Sequence, residues 1–526
     1  MNHAVSRALA VLLGLAALAA RPAAATEPEA AGPAAPAPFA TEEVDQDPRE
    51  LNFIGYYFMR SALSDIAPTN EFLKGQVVGR LFGGNTTFTG PETSVYAEQR
   101  FIPMFTYSPR LFDGWAKIRA SFELDWTWGD ANYGAGGNFG GAFGADQVNM
   151  QTQNLFLELR PRKNLFINAG LQRIFDNIRV PWYTFTDDLL NTGYRLAFFG
   201  SDATGITTHW MFDTDKRMKV GFYQLYENQV EQDDDVVLYT AEVEKDMSID
   251  SSVGLSLRYV RDHGNGEGGV SILGQGLNSN LSNYNGVFNF NFGNEDYTAD
   301  VLWAGTQFHK DPLLRQGNTG FGGFLVYNFG EARTASRSVS IGGAAANLRI
   351  AHRYGSQLND QVVLDAIFTT GDNNNIDDGK YSGVLTGNNW SSPGAVFIGH
   401  GLYLLLPHGS VVNRFVAATV DIQNLGYGME AASLQVHKDL VPNKLKAKVG
   451  AGLGYATRTI DGMGSQIGTE LNFNLRWTMR VFMDLELHAA YMWLGDFYDS
   501  SVVNGNLDHR PKDPWTVFAT FKWISF

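Results

Sequence analysis

Hydrophobic and polar residues alternate with a period of two through most of this chain, from about Glu71 to its end. Between Trp115 and Trp128, one parity holds Ala116, Ile118, Ala120, Phe122, Leu124, Trp126 and Trp128. The other holds Lys117, Arg119, Ser121, Glu123, Asp125 and Thr127. A helix would gather Lys117, Ser121 and Phe122 on one side. A strand separates an apolar face from a wet one. The rhythm recurs at Val253 to Tyr259, at Phe288, Phe290 and Phe292 between Asn289 and Asn291, and at Leu445 to Tyr455. From Leu471 to Trp493 every odd position is apolar. That run is too long for one strand and predicts two, with a tight reversal near Thr478 to Val481.

Soluble sandwiches also alternate, but three features favour a membrane barrel. The periodic segments run to about 10–13 residues, the length of a tilted strand crossing a bilayer, against about 5–6 in soluble sheets. Aromatic residues sit near segment ends, as in Trp126 with Trp128, Tyr491 with Trp493 and Phe521 with Trp523, where interfacial girdles form. Connections alternate in length. Short ones fall at Ser108 to Gly114, Arg160 to Asn164, Asp213 to Lys216 and Lys438 to Lys444. Long ones fall at 129–148, 175–200, 261–283, 371–395 and 494–513. Short periplasmic turns and long outer loops produce that asymmetry. The expected fold is therefore all-β: a transmembrane antiparallel up-and-down barrel spanning 51–526. About 18 strands are expected, within a range of 16 to 20, the number being even when both chain ends lie on one side. Phe526 ends the last amphipathic segment, and this resembles the terminal signal of Gram-negative outer-membrane barrels.

Composition agrees. Of 526 residues, 44% are hydrophobic, 13% aromatic and only 18% charged, with 57 glycines. Beyond residue 25 no apolar run reaches the ~18 residues of a spanning helix. The net charge of −15 opposes nucleic-acid binding. The chain has no cysteine, which excludes disulfides, thiolate metal sites and cysteine nucleophiles. Arg7, the uncharged stretch Ala8 to Ala20 and the small residues Ala23, Ala24 and Ala25 read as a signal peptide over 1–25. Residues 26–50, rich in Ala, Pro and Glu, read as a flexible lead-in. The expected location is the outer membrane of a Gram-negative bacterium. Expected partners are the lipid bilayer, lipopolysaccharide, the barrel-assembly machinery and a possible envelope complex.

A barrel of about 16–18 strands has room for water. The inward parity is polar and often small, including Gly450, Gly452, Gly454, Ser256, Asn289 and Asn291. The expected function is a channel for polar solutes. Inward charges of both signs are expected: Lys117, Arg119, Arg258, Lys446, Lys448, Arg476 and Arg480 against Glu123, Asp125, Asp365, Asp484 and Glu486. Lys117, Arg119, Glu123 and Asp125 are candidate pore-lining residues. A strand ending Gly170-Leu171-Gln172-Arg173 then feeds a stretch dense in Asp, Arg and Trp up to Asp202. This stretch resembles the alginate-export family of outer-membrane barrels, although Gln172-Arg173 reverses that family's Arg-Gln order. The resemblance implies an 18-stranded, polysaccharide-conducting pore with a constricting loop, and marks Arg173, Arg179, Asp187, Asp188 and Arg195 as its candidate constriction.

Other chemistry is weakly signalled. Gly264, Gly266 and Gly269 fit Gly-x-Gly-x-x-Gly, but no helix follows. Asp372, Asn374, Asp377 and Asp378 lack the spacing of a calcium loop and read as a solvated turn. His408 and Ser410, with Asn413 nearby, faintly resemble the His, Ser and Asn of the outer-membrane phospholipase. A lipid hydrolase is thus a minor alternative to a channel, and a non-conducting structural or adhesive barrel is the main one. No cofactor, metal or enzymatic activity is expected.

Overall fold

The structure is a computed structural model. It describes residues 50–68, 77–82, 87–128, 149–173, 202–227, 234–265, 290, 292–374, 376–385, 401–406, 408, 411–412, 414–419, 422–505 and 510–525. Nineteen strands share one sheet. One of them, Lys380–Tyr381, is a two-residue rider paired parallel to Ser340 and Ile341. The other 18 close an antiparallel ring. The first, Leu51–Pro68, pairs with the second, Thr87–Tyr107, and with the last, Trp515–Ser525. Closure leaves the ring itself without a free edge, as a lipid environment demands.

The burial pattern is inverted relative to a soluble protein. In Ala116–Thr127 the polar residues Lys117, Arg119, Ser121, Glu123, Asp125 and Thr127 are buried, while Ile118 is exposed. In Ser251–Asp262 the leucines Leu255 and Leu257 are exposed, and Ser256 and Arg258 are buried between them. Aromatic contacts near strand ends, Trp210 with Phe212 and Tyr491 with Trp493, mark the two membrane interfaces. These features define a transmembrane barrel of the Gram-negative outer-membrane type. An arginine on the lipid face at mid-height costs about 2–4 kcal/mol. Leu255→Arg should therefore lower the urea midpoint of folding into vesicles. The inward Ser256→Asn, which keeps a polar group on the wet face, should leave it nearly unchanged.

The 23-residue alternating run splits into Gln466–Arg480 and Met483–Leu494. The turn between them lies at Val481 and Phe482, at the end of the expected reversal, with Phe482 at φ 60°. The last strand turns Val517, Ala519, Phe521 and Trp523 outward. Thr516, Phe518 and Thr520 are buried on the bore side.

Two expectations need correction. Phe290 and Phe292 do not belong to a strand. They are buried in the connection before Tyr297–Lys310, where Phe290 packs edge-on to Tyr381 and Phe292 stacks on Tyr297. Alternation there reflects a packed aromatic cluster. The inner wall is also not uniformly polar. Val301, Trp303, Phe324, Val326, Val339 and Ile341 are all buried on the bore side. This apolar arc faces Tyr381, Val384 and Leu385, which belong to the connection 370–429.

Candidate pore and its inserted segment

The connection 370–429 begins where Gln361–Thr369 stops short of its neighbour Ser338–Arg353. Lys380–Tyr381 takes up the backbone left unpaired at Ser340 and Ile341. The chain then leaves the wall and enters the bore. The Trp303 indole donates to the Leu385 carbonyl at 2.9 Å, and the Leu385 N–H donates to Asn328 Oδ1 at 3.0 Å. Leu402, Leu404, Leu405 and Leu406 are 0–3% exposed, a degree of burial that only an interior position supplies.

Glu470, fully buried on the inward face of Gln466–Arg480, anchors this stretch. Its Oε1 accepts the Tyr403 N–H at 2.8 Å. Its Oε2 accepts the Leu404 and Leu405 N–H groups at 2.9 and 2.7 Å. Asn472 Nδ2 also donates to Oε1, at 2.8 Å, and to the Gly401 carbonyl at 2.9 Å. Ionised carboxylate with several N–H donors is among the stronger hydrogen-bond arrangements. The glycine row expected to leave open lumen has another use. A Cβ on Gly452 would lie 2.5 Å from Leu402 Cδ2, and one on Gly454 would lie 3.1 Å from Leu405 Cδ1. The glycines make a niche for leucines.

Further along, the same connection meets the wall formed by Leu51–Pro68 and Thr87–Tyr107. The Val412 N–H donates to Glu98 Oε1 at 3.0 Å, and Arg100 Nη2 donates to the Val412 carbonyl at 2.8 Å. Val412 packs with Tyr56, Phe58, Ile102 and Met104. The described parts of the segment are thus bound to separate arcs of the wall. Other outer connections lock onto it. Val77–Arg80 pairs parallel with Arg414–Ala417, and Tyr498 donates to the Ala418 carbonyl at 3.3 Å. Tyr498 also packs edge-on to Phe82, at 5.4 Å between ring centres. Arg510 clasps Asp499 through two hydrogen bonds of 2.8 and 2.7 Å and holds that carboxyl below the usual carboxylate range.

The inward charges form cross-strand pairs. Arg100 sits opposite Asp125 in register and binds it through Nε and Nη2 at 2.8 and 2.6 Å, with Glu123 at 2.6 Å from Nη2. Arg119 Nε donates to Glu158 at 2.7 Å, a carboxylate shared with Arg160. Arg258 pairs with Glu242 at 3.2 Å. Lys117 is buried on the same face. The structure therefore gathers Lys117, Arg119, Glu123 and Asp125 on one inner arc. Arg173 ends the strand Leu165–Arg173, with its Cα paired to Asp202. Arg179, Asp187, Asp188 and Arg195 lie outside the described residues. Of the motif before them, Gly170 has φ 132°, and a Cβ there would meet the Leu155 carbonyl at 2.5 Å. Gln172 is buried, donating to the Gly205 carbonyl and accepting from Thr207. These residues bind strand to strand.

Sequence reading missed the inserted segment, because apolar residues at 402–406 carry no period that separates a bore-filling strap from a strand. The usable signal was the coincidence of that run with three inward glycines. His408 lies in the bore, edge-on to Tyr403 and 5.0 Å from the His488 ring centre. Ser410 and Asn413 lie outside the described residues. Asp372 does form a turn, accepting the N–H groups of Asn374 and Ser382.

No protein-family model matches the chain, and no curated protein matches it. Solved structures align along most of the chain at low identity. OpdL of Pseudomonas aeruginosa aligns at TM-score 0.49 with 9% identity, covering 90% of this chain and 99% of that one. OccAB1 of Acinetobacter baumannii aligns at TM-score 0.47 with 10% identity, covering 90% and 97%. OpdK of Pseudomonas aeruginosa, solved with vanillate, aligns at TM-score 0.46 with 12% identity, covering 90% and 98%.

Proposed function

We propose that this protein is an outer-membrane channel for small polar solutes, with its bore narrowed by the inserted part of the connection 370–429. The observation that carries this reading is the ring of 18 strands with charged and amide side chains turned inward. A chain that needed only a filled barrel could close with about 8 strands. Side chains of both signs offer successive hydrogen-bonding partners to a solute shedding water. A strap across the bore favours solutes that slip past it over a polymer threaded through, so export of a polysaccharide is the less supported use. Lys117, Arg119, Glu123 and Asp125 belong to the wall of the path in this reading, and Arg173, Arg179, Asp187, Asp188 and Arg195 remain the candidates for its constriction. The segment 1–25 directs export, the barrel-assembly machinery inserts the chain, and lipopolysaccharide surrounds its outer half.

Planar-bilayer conductance of the purified full chain tests this. Discrete steps are expected, smaller than an unobstructed bore of this strand number would carry. Silence from protein shown by heat-modifiable migration to be folded would overturn the channel and favour a structural barrel.

A further inference from the structure

We propose that His408 of the inserted segment and His488 of the wall form an acid-sensitive latch, which holds the segment in the bore near neutral pH and releases it as the pH falls. The proposal deepens the channel reading by giving the bore a regulator, and rests on that reading only where it concerns conductance. The two ring centres lie 5.0 Å apart. His488 stacks on Phe518 at 4.4 Å and 10°. His408 stands edge-on to Tyr403 at 4.4 Å and tilted against Phe518 at 5.2 Å. The Tyr403 hydroxyl lies 3.2 Å from His488 Nδ1. Two side chains of the segment thus seat against two of the wall, and both imidazoles belong to the contact.

The geometry at His488 asks for a neutral ring. Asn474 Nδ2 donates to Glu486 Oε2 at 3.0 Å, which orients its amide, and the same nitrogen lies 3.1 Å from His488 Nδ1. An amide N–H needs a lone pair there, and an imidazolium has none. Nε2 then carries the proton, facing Thr520 Oγ1 and Glu486 Oε2, each at 3.4 Å.

Positive charge already surrounds the pair. Lys448 sits over the Tyr403 ring at 4.4 Å, and Arg60 over the Phe518 ring at 4.6 Å. The carboxylates within reach are committed. Glu486 is shared between Lys522 at 3.4 Å and Arg476 at 3.9 Å. Glu98 pairs with Arg60, and Glu470 accepts the amides of the segment. Tyr403 and Tyr96, the latter under Arg60 at 5.6 Å, are phenols and stay neutral in acid. Loss of water around the ring, then His488, Lys448, Lys522 and Arg60, hold the His408 imidazole well below the ordinary histidine range. A histidine freed from the contact takes up its proton near pH 6.5, at about the ordinary value. The released segment therefore binds more protons than the docked one. Docking is at full strength above about pH 6.5 and weakens progressively below it. Two imidazoliums at this separation would also repel each other directly.

Amide hydrogen exchange of the folded, detergent-solubilised full chain tests the latch without requiring conduction. Protection of the Tyr403, Leu404 and Leu405 amides, corrected for intrinsic exchange, should begin to fall below about pH 6.5. Between about pH 7.5 and about pH 5 it should drop by about thirty-fold or more, the excess of protonated over neutral imidazole about 1.5 pH units below the ordinary value. Strand amides should keep their protection. His408→Phe, which keeps a ring that cannot titrate, and His488→Gln, which keeps a polar group for Asn474, should each shrink the drop, measured from the variant's own protection at pH 7.5. Equal protection at both pH values would overturn the proposal, as would a loss confined to below about pH 4.5, where carboxylates titrate. A drop of undiminished size in both variants would assign the release to a carboxylate such as Glu470 and overturn it too. In planar bilayers the same acid interval should enlarge the conductance steps. Protection lost in acid by a chain silent in bilayers would sink the channel and leave the latch. Conductance steps and protection that both ignore pH would do the reverse.

Discussion

Glu470→Gln should enlarge the conductance steps while leaving the barrel folded. The carboxylate accepts three backbone N–H groups from Tyr403, Leu404 and Leu405 and the Asn472 amide. Glutamine keeps one oxygen and turns an NH₂ toward donors that the other oxygen served. Hydrogen bonds to a charged group contribute about 1.5–3 kcal/mol each. Losing two of them shifts attachment of the strap by roughly 3 kcal/mol or more, on the order of a hundred-fold in occupancy. The strand ladders do not involve this side chain, so heat-modifiable migration should be retained. Gly452→Val, which pushes a side chain into the Leu402 niche, should act in the same direction from the other side of the contact. Steps of unchanged size in both folded variants would show that residues 401–406 do not set the width of the path.

Arg100→Ala has the largest expected cost to stability. This guanidinium serves Asp125 through two bonds, Glu123 through a third contact and the Val412 carbonyl through a fourth. Asp125 and Glu123 are 1% and 4% exposed. Truncation leaves two buried carboxylates side by side with their main cation removed. Breaking such a pair from one side typically costs about 3–5 kcal/mol. Urea-induced unfolding from vesicles should show a lowered midpoint. Arg100→Lys should recover part of the loss, since a single ammonium keeps the charge but not the fork. A midpoint equal to that of the unmodified protein would mean that water reaches Asp125 and Glu123 and takes over the role of Arg100.

Much of the wall was readable from alternation. Lys117, Arg119, Glu123 and Asp125 face inward as their parity demanded, because one register slip would turn every charge of that strand to the lipid. The paired strands within Leu471 to Trp493 follow from the same rule. The alternating phenylalanines at 290 and 292 misled, because a period of two also arises where side chains alternate within a compact aromatic cluster. The polarity of the inner wall was only half legible. Trp303, Val326 and Ile341 are apolar on a face that alternation marks as wet, because they pack against Leu385 and Tyr381 from a connection far along the chain.

By itself, the sequence determined the class of fold, the lipid-facing parity of the strands and the alternation of short and long connections, all of them products of local period and composition. Only the tertiary structure decided what occupies the bore. Glu470 meets the N–H groups of Tyr403, Leu404 and Leu405 across more than sixty residues of chain. Glu98 meets Val412 across more than three hundred. No local pattern encodes those meetings. They depend on an 18-strand ring wide enough to admit a segment, and on buried carboxylates whose hydrogen bonds must be satisfied by whatever enters.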